Sequence, residues 1–225
     1  MLNRAARYFV ILEQLPPAGA NEPRILEIGS GSEGLGEFYQ RPFVGCDVSF
    51  SREPRHPMRA VMCSGTALPF ADGSFDAVVA SDVMEHLAPE QRGEVIAEAL
   101  RVARHRVIFG FPCGTRASEL DHRLFAHYKA RNVAPPIWLE EHLQNPFPDS
   151  QLFQDLPPGW HIATKPNEGL SFHYWLMRRE MHRAWNYLFR LALFLIPGTV
   201  RRILRMFDEE PAYRKIFILT RQQPT

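Results

Sequence analysis

Residues 24–34 read Arg24-Ile25-Leu26-Glu27-Ile28-Gly29-Ser30-Gly31-Ser32-Glu33-Gly34. A short apolar run of strand length stops at Gly29 and gives way to a Gly-x-Gly-x-x-Gly turn. Glycines there let the backbone turn tightly and let a ligand come close to the main chain. The following Gly34-Leu35-Gly36-Glu37-Phe38-Tyr39 is expected to open a helix whose N-terminus lies beside that ligand. The next apolar run, Phe43–Asp47, ends on an acid that can accept the hydroxyl protons of a ribose. Two plainer readings stand beside this one: a glycine-rich turn with no ligand, and an Asp47 that only caps the next turn. A dinucleotide enzyme would use the same device.

Outward from this turn, short apolar runs alternate with helical patterns, as βαβ units of a parallel sheet do. Strands are predicted at Arg24–Ile28, Phe43–Asp47, Arg59–Cys63, Phe75–Ser81 and Arg106–Phe111, with later strands at Trp160–Lys165 and Arg214–Arg221. Val95, Ile96, Ala99, Leu100 and Ala103 make a helical stripe behind Pro89, which suits a first turn. The expected fold is α/β: a doubly wound, Rossmann-like, mostly parallel seven-stranded sheet, the last strand antiparallel, with a helical C-terminal cap. One domain over 1–225 is expected. It comprises a cofactor-binding core at 24–112, an insert over the acceptor site at 113–158, and a basic aromatic helical insert at 168–208 between the last two strands.

The run Ser64-Gly65-Thr66-Ala67-Leu68-Pro69-Phe70-Ala71-Asp72-Gly73-Ser74-Phe75-Asp76-Ala77-Val78-Val79 resembles the Leu-Pro-Phe … Ser-Phe-Asp segment of class I methyltransferases. Ser81-Asp82-Val83-Met84-Glu85-His86-Leu87 is similar to that family's segment after its fourth strand. The resemblance covers about residues 24–112 and is nearest to the broad group that includes quinone-biosynthesis and bacterial glycan-pathway enzymes. It implies S-adenosylmethionine as cofactor and turns the reading away from a nicotinamide enzyme. By resemblance, Glu27, Gly29, Ser30 and Gly31 would serve the methionine moiety and Asp47 the ribose. Gly65, Thr66, Ala67 and Leu68 would lie beside adenine, and Ser81 and Asp82 would line the sulfonium end. Many relatives carry an aspartate where Ser64 or Gly65 stands, so a hydroxyl or a backbone carbonyl must serve the adenine amino group here. Asp82, Glu85 and His86 have the chemistry for magnesium or a transition metal, and some relatives use such a cluster so. In many others Glu-His-Leu only opens a helix, and no metal is expected.

For the acceptor, an alcohol needs its proton removed, usually by a histidine or a carboxylate. Arg116-Ala117-Ser118-Glu119-Leu120-Asp121-His122 offers Asp121 and His122 as first choice and His86 as second; solvated polar residues on a cover helix are the plainer reading. The expected reaction is methyl transfer to a hydroxyl of a glycan or other metabolite, in one version lipid-linked. The alternatives are a quinone-like or small aromatic acceptor, and a non-catalytic fold that binds cofactor or a partner.

Bulk properties fit this frame. A chain of 225 residues with 45% hydrophobic and 23% charged residues suits one α/β domain. Its net charge of +1 gives no global pull on a polyanion, so no nucleic-acid partner is expected. Cys46, Cys63 and Cys113 form no C-x-x-C pair and read as reduced thiols of a cytoplasmic protein. Arg4 and Arg7 precede an apolar patch, but Glu13 interrupts it, so a lead-in helix is expected rather than a secretion signal. Within 178–206, seven arginines face one acid, Glu180, around Trp185-Asn186-Tyr187-Leu188-Phe189. Such a stretch is either a buried cap or a helix at the inner face of an anionic membrane.

Overall fold

The computed structural model describes residues 2–17, 19, 22–53 and 57–222. Helix α1 (Leu2–Leu12) leads into strands β1 (Ile25–Ile28), β2 (Phe43–Asp47), β3 (Met58–Met62) and β4 (Phe75–Ser81). Helix α2 (Pro89–Val102) and β5 (Ala103–Pro112) follow. Two helices, α3 (Gly114–Ala130) and α4 (Ile137–His142), come before β6 (Trp160–Gly169). Helices α5 (Leu170–Glu180), α6 (Arg183–Leu195) and α7 (Pro197–Arg205) then precede β7 (Ala212–Arg221). The seven strands form one sheet in the order β3-β2-β1-β4-β5-β7-β6. The first five are parallel; β7 lies antiparallel to β5, and β6 antiparallel to β7. The strand order reverses between β1 and β4, which opens a crevice at their carboxyl ends.

Alternate strand residues feed opposite faces, as the two-residue period of a strand requires. Leu26, Ile28, Val78, Ala80, Val107 and Phe109 pack with Val95, Ile96, Ala99 and Leu100 of α2. Ile25, Ala77, Val79 and Ile108 pack with Tyr8, Val10 and Ile11 of α1. The predicted lead-in helix is therefore a layer of the fold. A third cluster joins α1 to the cap: Leu2, Ala5 and Phe9 meet Leu124 and Tyr128 of α3, Leu139 of α4, Leu176 and Met177 of α5, and Val200 and Leu204 of α7.

Four local expectations change. Strand β5 begins at Ala103, which the sequence assigns to the helical stripe, because α2 ends at Val102 and Ala103 pairs with Phe75 of β4. The chain after the glycine turn makes only a 3-10 turn, Gly34–Glu37, and no helix forms there. Gly34 and Gly36 lie inside it, and glycine disfavours helix propagation. Strand β3 begins one residue earlier than expected, in register with β2 from Phe43↔Met58 to Asp47↔Met62. Strands β6 and β7 run longer than their apolar cores because they pair with each other from Trp160↔Arg221 to Gly169↔Ala212. Ladder hydrogen bonds set their length there, not side-chain character.

Helices α5 to α7 occupy the predicted insert between the last two strands. Helix α6 buries none of its residues completely. Trp185, Phe189, Ala192 and Leu193 lean on the domain, while Tyr187, Leu188, Leu191, Phe194 and Leu195 face outward. Arg201 and Arg205 are ion-paired with Glu13 of the α1 layer. Part of the basic stretch is thus neutralised within the fold. Among the described residues no helix is long and apolar enough to cross a membrane.

Candidate active site

Strand β1 ends at Ile28, and the Gly29 and Ser30 N–H groups donate to the Cys46 carbonyl of β2 at 2.8 and 3.1 Å. Gly29 and Gly31 have φ of 69° and 53°, the left-handed region that glycine reaches without strain. A Cβ on Gly29 would run into Val83 Cγ2, whereas one on Gly31 would enter open space. The turn is thus packed from behind and bare in front. Asp47 braces it: its Oδ2 accepts from the Gly31 N–H at 2.8 Å and its Oδ1 from the Ser49 N–H at 3.2 Å.

Glu27 does not face the crevice. Its buried carboxyl accepts from the Leu35 N–H at 2.6 Å and from the Tyr8 hydroxyl at 2.8 Å, tying the glycine turn to α1. Burial pushes this carboxyl up to about 7. These contacts hold the loop in shape.

Two adjoining hollows open over the carboxyl ends of the strands, of about 560 and 680 Å³. Gly29, Asp47, Asp82 and His86 line both. The larger continues past Cys63, Ser64, Gly65 and Thr66. The smaller continues past Ser30, Gly31, Ser81, Arg7 and Arg214 to Trp138, His142 and Tyr213. Of the residues expected around a cofactor, Gly29, Ser30, Gly31, Asp47, Gly65, Thr66, Ser81 and Asp82 therefore share one crevice. Ala67 and Leu68 do not line it: Ala67 is exposed, while Leu68 is buried and its N–H donates to Glu98 at 2.7 Å.

The far end of the smaller hollow is built from residues distant in sequence. Asp82, at φ 50°, accepts from Arg214 Nε at 2.8 Å and Nη2 at 3.0 Å, and it also pairs with Arg7. Arg214 is itself buried and reaches Asn167 and Asn3. Helix α4 contributes His142, whose Nδ1 meets Asp121 Oδ2 at 2.8 Å; the same oxygen accepts from the Tyr213 hydroxyl at 2.9 Å. Beneath them lies Glu85, wholly buried, with both carboxyl oxygens lacking a hydrogen-bond partner. Burial pushes Glu85 up to about 7. At the opening, His86 Nδ1 lies 3.1 Å from Glu141, and burial lowers the pKa of its imidazole.

The predicted catalytic trio separates. His86 lines both hollows, and Asp121 reaches them only through His142. His122 is exposed, meets the Ser118 carbonyl of its own helix at 2.9 Å, and lines a separate hollow on the outer face of α3. The reason is helical geometry: adjacent residues point about 100° apart, so Asp121 and His122 cannot both face the crevice. Arg7, Trp138, His142, Tyr213 and Arg214 went unread, because each comes from an element outside the glycine-turn core and joins it only by tertiary packing.

Comparison with known proteins bears on this crevice. The family described as "Methyltransferase domain" matches residues 26–111. An uncharacterized methyltransferase of Mycolicibacterium gilvum (strain PYR-GCK) is 54% identical over 55 residues. That match spans 23% of this chain and only 20% of the relative's length. Among solved structures, a possible histamine N-methyltransferase from Thermotoga maritima superposes with a TM-score of 0.57 at 14% identity, over 98% of this chain and 92% of that one. A geranyl diphosphate C-methyltransferase from Streptomyces coelicolor A3(2), in complex with Mg2+, geranyl diphosphate and S-adenosyl-L-homocysteine, gives 0.53 at 13% identity, over 98% and 79%. At such identities the superpositions speak for the fold.

Proposed function

We propose that this chain, whose residues 26–111 match the methyltransferase domain family, is a class I S-adenosylmethionine-dependent methyltransferase that transfers the donor's methyl group to a hydroxyl of a polar, polyhydroxylated acceptor such as a glycan. The residues fit the donor. Gly31 leaves bare backbone where a Cβ would stand, Asp47 lies at the junction of both hollows, and the Ser81 hydroxyl is buried with no hydrogen-bond partner. In this reading Gly29, Ser30 and Gly31 hold the methionine end and Asp47 the ribose hydroxyls. Gly65 and Thr66 border adenine, with the Ser64 hydroxyl or a loop carbonyl serving its amino group. Bound there, the sulfonium supplies an electrophilic methyl carbon for in-line displacement.

The chain's own contribution is placement, since holding reactants in attacking geometry accounts for much of the barrier in such displacements. The single observation that carries the acceptor class is the lining of the far end. Arg7, His86, His142, Tyr213 and Arg214 meet there around one aromatic wall, Trp138. A quinone or small aromatic ring would call for a mostly apolar slot, whereas hydroxyl-rich acceptors find donors and acceptors on each side. Arg7 and Arg214 hold Asp82 in its left-handed conformation, which keeps the floor between the two hollows fixed.

A lipid-linked version of this acceptor is favoured by α6, whose outward apolar residues stand beside Arg183, Arg190 and Arg202 on the surface. The occupant that matches an apolar ridge flanked by arginines is an anionic lipid surface.

Calorimetry with S-adenosylhomocysteine should give micromolar binding, about −8 kcal/mol, and none with NAD. Labelled-methyl transfer should then be detected onto glycan hydroxyls and be absent from quinols and simple phenols. Tight NAD binding would overturn the donor assignment. Label on quinols alone would hand the acceptor to the aromatic alternative, and donor binding with no transfer to any acceptor class would favour a non-catalytic role.

A further inference from the structure

Glu85, His86 and His142 each offer a ligand atom, and these atoms lie within 4.8 Å of one another. Glu85 comes from the loop after β4 and is wholly buried with neither carboxyl oxygen hydrogen-bonded. An unsatisfied buried carboxyl is costly and rare, and an unrecorded ion is one of its ordinary explanations. His142 Nε2 stands 3.9 Å from Glu85 Oε1, and the two imidazole centroids are 4.9 Å apart. Each imidazole already spends Nδ1 on a carboxylate, His142 on Asp121 at 2.8 Å and His86 on Glu141 at 3.1 Å. That second contact fixes the ring and leaves Nε2 for an ion, as carboxylate-backed histidine ligands usually do. Asp121 is itself held by the Tyr213 hydroxyl at 2.9 Å, so the support runs two residues deep.

From this geometry we propose that Glu85, His86 and His142 bind a divalent transition-metal ion at the acceptor end of the crevice. Two imidazoles and one carboxylate suit zinc, cobalt, iron or manganese, whereas magnesium and calcium prefer all-oxygen shells. Three protein ligands leave a position open. Because His86 and His142 line the smaller hollow, that position faces the acceptor. The site differs from the Asp82-Glu85-His86 cluster visible in the sequence. Asp82 is committed to Arg7 and Arg214, and the third ligand arrives from α4. It also reverses the expectation of no metal, because His142 and its Asp121 support come together only in the fold.

The role of the ion rests on the methyl-transfer reading, although its binding does not. A Lewis acid at the acceptor oxygen eases loss of the hydroxyl proton to water. The oxygen then forms its bond to the methyl carbon as the carbon–sulfur bond breaks and returns its electron pair to sulfur.

The test uses the full chain stripped with chelator and dialysed, with Co2+ as the probe read by its visible absorption and Zn2+ as competitor. One Co2+ per chain is expected, displaced by one Zn2+. Glu85→Gln and His142→Gln should each weaken Co2+ binding at least ~100-fold, and Asp121→Asn, acting through His142, by about 10–100-fold. His122→Gln should leave it unchanged. Far-UV circular dichroism checks that each variant is folded; should Glu85→Gln fail to fold, His142→Gln and Asp121→Asn carry the test. Folded wild-type protein that binds S-adenosylhomocysteine but takes up no stoichiometric Co2+ would overturn the site and leave the methyltransferase reading standing. Co2+ uptake unaffected by all three substitutions would also overturn it. Co2+ bound at these residues without affinity for S-adenosylhomocysteine would uphold the site and overturn the donor assignment instead.

Discussion

The two halves of this molecule are built by different means. Across 24–112 each functional residue sits at the end of its own strand, so chain order and spatial order coincide. Gly29 and Gly31 follow β1, Asp47 ends β2, Gly65 follows β3, and Ser81 ends β4. Across 113–214 the crevice is finished by side chains whose neighbours in sequence point elsewhere. Asp121 is buried while His122 is exposed, and His142 comes from α4 and Arg214 from β7, far apart in the chain. A ligand gripped through backbone turns demands glycines at fixed places, which leave a mark in the sequence. An acceptor gripped by side chains leaves none until the elements have packed.

The largest expected effect breaks the first half. Gly29→Val would place a branched side chain at φ 69° and against Val83. Both are strongly disfavoured, by strain of order 1–3 kcal/mol and by overpacking of about the same size again. S-adenosylhomocysteine binding should fall below detection by calorimetry, with a lower urea midpoint. Near-native affinity in the variant would mean that the turn is not the cradle.

A somewhat smaller effect falls where the halves are joined. Asp82, after β4, is the shared partner of Arg7 from α1 and Arg214 from β7. Asp82→Asn leaves the largely buried Arg7 guanidinium without its counter-charge and Arg214 with only Glu168, at 3.5 Å, and breaking a buried pair in this way typically costs about 3–5 kcal/mol. Urea unfolding of the variant measures this; a loss under about 1 kcal/mol would show that the halves are held together by apolar packing alone.

How far each half could be read follows from the same contrast. The sheet and its antiparallel end were legible because apolar runs bounded by turn residues carry them. Helix formation after the turn was misread, since Gly34 and Gly36 favour a tight 3-10 turn over propagation. The anchoring contacts of Glu27 were not legible because burial is a tertiary property: the sequence places it before the turn but cannot show Tyr8 and the Leu35 N–H waiting for its carboxyl.

Glu27 also provides a pH test of the cofactor half. Its folded-state pKa of about 7 lies above the ordinary carboxyl value of 4.5, so the folded protein holds that proton more tightly than the unfolded chain. The resulting stabilisation is fully present below pH 4.5 and is lost as pH rises through about 7. The change is on the order of 3 kcal/mol. Stability from urea unfolding should therefore decline between pH 5 and about 8, and Glu27→Gln should flatten the decline. An unaltered slope would mean that Glu27 is ionised throughout this range.

The smallest effect concerns α6, the part of the cap that packs least. Tyr187 is 68% exposed, Leu188 53% and Phe194 82%, an apolar ridge that a helix serving only as a lid would turn inward. If it rests on an anionic bilayer, the chain should sediment with vesicles of phosphatidylglycerol and phosphatidylcholine and hardly at all with phosphatidylcholine alone. The arginines taken to act are Arg183, Arg190 and Arg202, because Arg201 and Arg205 are engaged by Glu13 and Arg178 and Arg179 lie over the rings of Tyr174, Trp175 and Trp185. Each contributes on the order of 1 kcal/mol near such a surface, so changing all three to Gln should reduce partitioning about 100-fold. Salt should release the wild-type protein, since screening shortens the reach of surface charge to about 8 Å at physiological ionic strength. Phe194→Ser removes apolar contact and leaves the charge, so it should weaken binding while preserving the salt dependence. Neither change touches the crevice, and S-adenosylhomocysteine affinity should stay the same in both. A chain that ignores vesicles of either composition would show that α6 is a loosely packed cap, and the acceptor would then be met in solution.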